Sequence, residues 1–404
     1  MVMKKSPSSQ SVSWRNRQQL AQKSFPSLKD VSFTYGLDIS SSIKPFDYAQ
    51  ISTAASHDPI FALNERVESG ISVMDYSTAS AAFPFVDSLI GSLLSSESKL
   101  ELFHLSNVKN VLVMVVPENT HATSPIAIVP GKSIFEHVFI FVGKNSRVSF
   151  VHLEKDLQKT GVNYRSSVVE IFAEENAHVA YSSIQSFSST VERVSFKRSR
   201  VSTNARVDWF WSELGSSFVK SDVSSFLVGE NASSQNVCVH VQNNAQIFDL
   251  DARAIHTHPQ TKSTLLSRGV LDGESKNVYK GLIRMTKDAP HSHGEQRADV
   301  LVLSPTAEAD PVPMLEIEGS DIQCSHAATV SRLDASKLFY LSSRGLDDSV
   351  ARALYIYGFL DHALSRFPSA EIISESRSRI LRKLGLSSLN VEESLLVSPP
   401  QVMV

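Results

Sequence analysis

The sequence predicts a mostly β protein with helical regions at both ends, and three observations lead there. Between Val111 and about Val330, short β-branched and aromatic runs follow one another, at 111–116, 134–142, 148–153, 168–172 and 207–211 among others, separated by polar turn residues. No long helical pattern lies between these runs, which argues against alternating βαβ units. Toward either end the apolar spacing changes to three and four residues, the period of an amphipathic helix.

Taken in order, residues 1–13 are rich in Ser and Lys and are expected to form a tail. Residues 14–109 form a mixed region. A short helix over 13–23 ends before the turn at Phe25-Pro26-Ser27, and from Tyr76 to Asn107 apolar residues such as Ala82, Phe85, Val86, Leu89 and Ile90 mark a helical stripe. The β core spans 110–335. A helical region over 336–386 follows, in which Val350, Ala353, Leu354, Tyr357, Leu360 and Leu364 line one helix face behind Asp347 and Asp348. Pro368 stops that helix, Ser369 can cap the next, and Gly385 fits the second helix's C-terminal cap. Residues 387–404 are expected to be a tail.

A β core of this length suggests a sandwich or barrel, but an irregular echo points to stacked coils. Asn145, Asn176, Asn204, Asn231 and Asn244 each stand before or within an alternating apolar run, 31, 28, 27 and 13 residues apart. Asparagine tolerates the left-handed backbone needed where a solenoid changes face. Hairpin signals are sparse. Asp272-Gly273 is the lone Asn/Asp-Gly pair, and 16 glycines in 404 residues fall well under the roughly 7% of average usage. The pattern favours parallel coils, with the sandwich as the alternative.

Composition narrows function. Hydrophobic content of 42% with 20% charge belongs to a folded globular chain, and 39 basic against 42 acidic residues give no field for a phosphate backbone. Cys238 and Cys324 are the only cysteines, too few for a disulfide framework or a four-thiolate cluster. Neither a spanning apolar run nor a signal peptide is visible, so a cytoplasmic location is expected; the acid-free residues 1–29 leave organelle targeting as the lesser alternative. There is no Walker A loop, GxSxG elbow or dinucleotide fingerprint. The pairs His256/His258 and His291/His293 lack the glycine and glutamate of a cupin site, and the neighbouring Pro259 and Pro290 suggest turn histidines at 258 and 293. Asp249, Asp251, Glu316, Glu318 and Asp321 are expected to be solvent-facing strand residues.

From His256 to Phe367 the order and spacing of several short motifs are specific. They are Ser267-Arg268-Gly269-Val270-Leu271, Lys280-Gly281-Leu282-Ile283, Gln296 followed by 300–304, Pro313-Met314-Leu315-Glu316-Ile317, Cys324-Ser325-His326-Ala327-Ala328-Thr329-Val330 and 338–345. On these motifs the chain resembles the SufB/SufD family of the SUF iron-sulfur cluster assembly system, with SufD the more similar form. SufB-like chains carry His-Glu-Ala-Thr where this chain has His326-Ala327-Ala328-Thr329, and no cysteine lies between 239 and 323.

The resemblance implies a right-handed parallel β-helix between an N-terminal mixed region and a C-terminal helical region. It also implies a non-catalytic scaffold that pairs through its β-helix with a SufB-like chain or a second copy. SufC, an ATP-binding-cassette ATPase, would dock on the C-terminal helices through Phe339, Tyr340, Arg344, Gly345, Tyr357 and Phe359. Cys324 and His326, at i and i+2 on a strand, would face one ion together and hold transient iron or a cluster shared with a partner. The alternatives are a SufB-like homodimeric scaffold and, from another class, a metal-dependent β-helix enzyme using the histidine pairs.

Overall fold

The computed structural model describes residues 12–28, 34–35, 39–40, 48–53, 61–63, 70–131, 133–155 and 163–385. Apart from residues 12 and 13, the tails expected at 1–13 and 387–404 lie outside the described residues. From Val111 onward successive strands enter two nine-stranded sheets alternately, so that each coil adds one strand to each sheet. Sheet I ends at Gln323–Arg332 and sheet II at Glu308–Ile317. Along the stack the pairing is parallel, and only the first strands, Phe61–Leu63 and Ser72–Asp75, pair antiparallel. The result is a parallel β-solenoid of about seven turns, and the sandwich alternative falls away.

The asparagine echo is the corner of this solenoid. Asn119, Asn145, Asn176, Asn204 and Asn231 all have φ between 55° and 61°, a region that L-residues other than Asn and Asp rarely occupy. Each backbone N–H there donates to a carbonyl of the next coil, and the side-chain amides bond to one another, Asn145 to Asn119 at 3.1 Å and Asn176 to Asn145 at 2.8 Å. Gln260, His291 and Asp321 continue the stack at φ 58–61°. Asn244 stands at the opposite corner, where its carbonyl accepts from Glu274 of the following coil at 2.7 Å. That change of corner accounts for the 13-residue interval.

Pleating sends alternate side chains inward, where both sheets share one apolar core that includes Phe150, Tyr181, Trp209, Trp211, Val223 and Leu250. The outer face of sheet II is covered by the N-terminal helices Trp14–Ser24 and Lys99–Asn107 through Trp14, Phe103, Phe139, Phe172 and Phe196. C-terminal helices Asp348–Leu364 and Ala370–Lys383 cover sheet I through Ile356, Leu360, Phe367 and Ile380 against Phe210, Val239 and Leu266. Ser369 caps the last helix by accepting from Ile372 N–H at 3.2 Å, and Gly385 ends it at φ +71°. No described helix is long and apolar enough to cross a membrane.

One expectation is sharpened and one is corrected. The helical stripe over 76–107 is three helices, Tyr76–Ala82, Phe85–Leu89 and Lys99–Asn107. Pro84 separates the first two, and Gly91 turns the chain at φ +72° where a Cβ would lie 2.9 Å from the Trp14 ring. Asp249 and Asp251 are buried rather than solvent-facing. The register sets Lys220 beside Asp249 and Lys280 beside Asp251, and Lys220 reaches both carboxylates, at 3.0 Å for Asp249. Neighbouring strands therefore neutralise these acids instead of water. Glu316, Glu318 and Asp321 are exposed, as expected, although only Glu316 lies on a strand.

Candidate functional site

Cys324 and His326 lie on Gln323–Arg332, the last strand of sheet I, which among the described residues has a strand on one side only. Register places Cys324 beside Gly294 and His326 beside Gln296, both inward positions. Cys324 packs against the interior core, and a Cβ on Gly294 would meet its Sγ at 3.1 Å. His326 shares that inward parity but is exposed, because no further coil covers it. The two side chains therefore sit at the rim of the solenoid's open end, side by side on one strand. Burial pushes the Cys324 thiol above its ordinary value, which favours the neutral thiol over the thiolate. Among the described residues no group of three His, Cys, Asp or Glu could hold a metal ion. A cation at this rim would need further ligands from outside the described chain.

Behind His326 the same inward row continues through Gln296, Leu265, Asn236, Trp209 and Tyr181. Gln296 is buried, its amide donating to the Gly281 carbonyl at 3.2 Å. A Cβ on Gly281 would stand 2.1 Å from that amide, and one on Gly269 only 2.0 Å from the His240 ring. Two glycines of the sequence motifs thus make room for inward polar side chains. Deeper in the interior, Arg193 lies between Glu154 and Glu213, with Nε 3.0 Å from Glu154 and Nη1 3.0 Å from Glu213. Although burial works to raise it, the attraction of Arg193 holds the Glu154 carboxyl down at about 2. Lys197 is wholly buried over the Trp211 ring at 5.7 Å, and burial lowers its pKa while also raising that of the Cys238 thiol nearby. Sequence reasoning missed Arg193, Lys197, His240 and Gln296 as interior groups. The available signal was a charged residue at an inward position of an alternating run, as with Arg193 and Lys197 four residues apart in Glu192–Val201.

The predicted docking residues divide into two groups. Phe339 and Tyr340 are 76% and 56% exposed on helix Ala335–Ser343, which buries none of its residues. Arg344 stacks over Tyr340 at 5.1 Å, and Gly345 ends the helix at φ +88°. Tyr357 and Phe359 are turned into the fold, Tyr357 under Arg377 at 5.0 Å and Phe359 under Arg268 at 4.8 Å. Of the histidine pairs, His256 is buried and bonded to Thr261 and Ser263 at 2.8 Å each, whereas His258 and His293 are exposed. His291 pairs with Asp321 at 2.7 Å on the corner stack.

Residues 126–359 match the family model described as SUF system FeS cluster assembly, SufBD core domain. The chain belongs to the SufBD family. The SufBD core thus includes nearly all of the solenoid strands and runs on into the first two C-terminal helices. Among similar proteins, an iron-sulfur cluster assembly SufBD family protein of Staphylococcus haemolyticus is 28% identical over 243 residues, which is 60% of this chain and 52% of that one. A SufBD family protein of Mycobacterium leprae is 30% identical over 235 residues, 58% of this chain and 27% of that one. The aligned part spans about half the length of the staphylococcal relative and less of the mycobacterial one.

Proposed function

We propose that this chain is a SufD-like scaffold subunit of iron-sulfur cluster assembly, working at the open end of its solenoid. Pairing with a SufB-like chain there would bring partner ligands to Cys324 and His326, and iron or a nascent cluster is the cargo received between them. The observation that carries this reading is the position of these two side chains, inward-facing on a terminal strand whose outer edge is unpaired. Imidazole and thiolate are suitable ligands for iron, and two from one chain leave coordination positions for another. In this reading SufC docks on the exposed face of Ala335–Ser343 through Phe339, Tyr340 and Arg344. ATP hydrolysis then occurs on SufC, and this chain performs no turnover chemistry. Ala327, in place of the glutamate of SufB-like chains, supports the SufD side.

His326→Ala tests the ligand assignment. Co-expressed with its partners, the variant should still be recovered in the complex but should fail to assemble clusters, read by the absorbance of the purified complex and by activity of a cluster-dependent enzyme. Cluster assembly at the wild-type level by His326→Ala would overturn the assignment.

A further inference from the structure

We propose that the pocket where helix Asp348–Leu364 ends over the outer face of sheet I binds a small polyanion of the phosphate or polycarboxylate class. This site lies on the opposite face of the sheet from Cys324 and His326 and is independent of the scaffold reading. The pocket has a volume of about 240 Å³ and is bordered by Thr264, Glu295 and Arg297 from the sheet and by His362 and Arg366 from the helix end. At about 30 Å³ per water it has room for roughly eight.

Its charges are unequally matched. Arg268, beside the pocket, donates to the Phe359 carbonyl at 2.7 Å and lies 3.0 Å from Asp299, and Arg297 Nε bonds the same Asp299 oxygen at 2.8 Å. One carboxylate therefore serves two guanidiniums. Arg366 is exposed and, among the described residues, has no carboxylate within ion-pair distance; Glu295 likewise pairs with no cation. Burial, followed by the positive field of Arg268, Arg366 and Arg297, lowers the His362 pKa. Near pH 7 that imidazole is neutral and still offers a ring N–H. Two guanidiniums and a neutral donor border the pocket against the single carboxylate of Glu295, a set that suits an oxyanion. The parallel register sets Ala327 beside Arg297 and Ser325 beside Glu295, so both charged residues have a small neighbour on the terminal strand.

Titration calorimetry of the full chain with inorganic phosphate and with citrate, at fixed ionic strength, tests this. Saturable binding of either probe is expected, at least tenfold weaker in Arg366→Ala, which removes the free guanidinium. Ala327→Glu, an exposed change that sets a carboxylate beside Arg297, should weaken it similarly. Arg352→Ala, exposed on the same helix outside the pocket, should bind as the wild type does. Circular dichroism establishes that each variant is folded. Absence of saturable binding for both probes, or equal affinity in all four proteins, would overturn the proposal.

Discussion

His240 shows how a single residue couples the interior to pH. Its ring is wholly buried, bonded at 3.2 Å to Gln242, and seated in space that Gly269 leaves open. Burial lowers its pKa to about 4 from an ordinary 6.5, the Gln242 bond only partly opposing this. Because the folded value is the lower one, the unfolded chain takes up a proton first as the pH falls. The stability associated with a neutral His240 is full above pH 6.5 and is lost as pH drops toward 4. One group contributes at most about 1.4 kcal/mol per pH unit, hence up to roughly 3 kcal/mol across the window. Other buried groups titrate in the same range, and Glu136, which burial pushes well above its ordinary value, acts in the opposite sense. A comparison of variants cancels them. The difference in urea-unfolding free energy between wild type and His240→Gln should be constant from pH 8 to 6.5. Below that it should move in the variant's favour by about 1 kcal/mol per pH unit. A pH-independent difference would show that His240 is not held neutral.

At the scale of an element, the corner stack makes the repeat visible and gives it a measurable energy. Asn176 combines φ +61° with one side-chain hydrogen bond, donated to Asn145 in the stack. Asn176→Gly should keep the backbone conformation and lose little more than a surface hydrogen bond, about 0.5–1 kcal/mol. Asn176→Ala adds the strain of a Cβ in the left-handed region and should cost about 1–2 kcal/mol more than the glycine variant. Urea denaturation measures both, and equal losses would place the stack's value in side-chain bonds alone. The same asparagines made the solenoid legible in the sequence, since few residues other than Asn hold this conformation at low cost. Helix ends were legible for the same local reason, Ser369 and Gly385 being fixed by chemistry within four residues. The charge ladder of Lys220, Asp249, Asp251 and Lys280 was not legible, because register across coils some 30 residues apart decides it. Helix Ala335–Ser343 was read only as part of a motif, since it buries no residue and its half-buried apolar face is just Leu338 and Leu341. Cys324 and His326 could be named as a pair from their spacing, whereas their position at an open rim depends on the stack ending with their own strand.

At the scale of the whole molecule, the two ends of the solenoid are treated differently. At the beginning, Phe61–Leu63 and Ser72–Asp75 pair antiparallel with the first coil and satisfy its edge hydrogen bonds. At the far end, Glu308–Ile317 and Gln323–Arg332 each lack a neighbour on one side among the described residues. Their side chains include Val312 at 40%, Met314 at 37%, Ile317 at 46% and Val330 at 50% exposure. Long edge strands carrying exposed apolar residues are pairing surfaces unless charge, proline or a cover prevents it. Pro311 and Pro313 blunt part of the sheet II edge. The sheet I edge, from Gln323 to Arg332, contains no proline and places a single cation at its end. If the unpaired edge is the pairing surface, the chain without its partner should self-associate reversibly through it. Sedimentation of the isolated chain should then show a dimer that grows with concentration and weakens little with salt, because the exposed contacts are mainly apolar. Val330→Lys should make the chain monomeric across the same range and should also reduce recovery of the heteromeric complex. Val12→Lys, a similarly exposed change at the opposite end of the described chain, should alter neither. A Val330→Lys chain that still dimerises like the wild type would move the pairing surface away from the open end, and would remove the proposed source of partner ligands for Cys324 and His326.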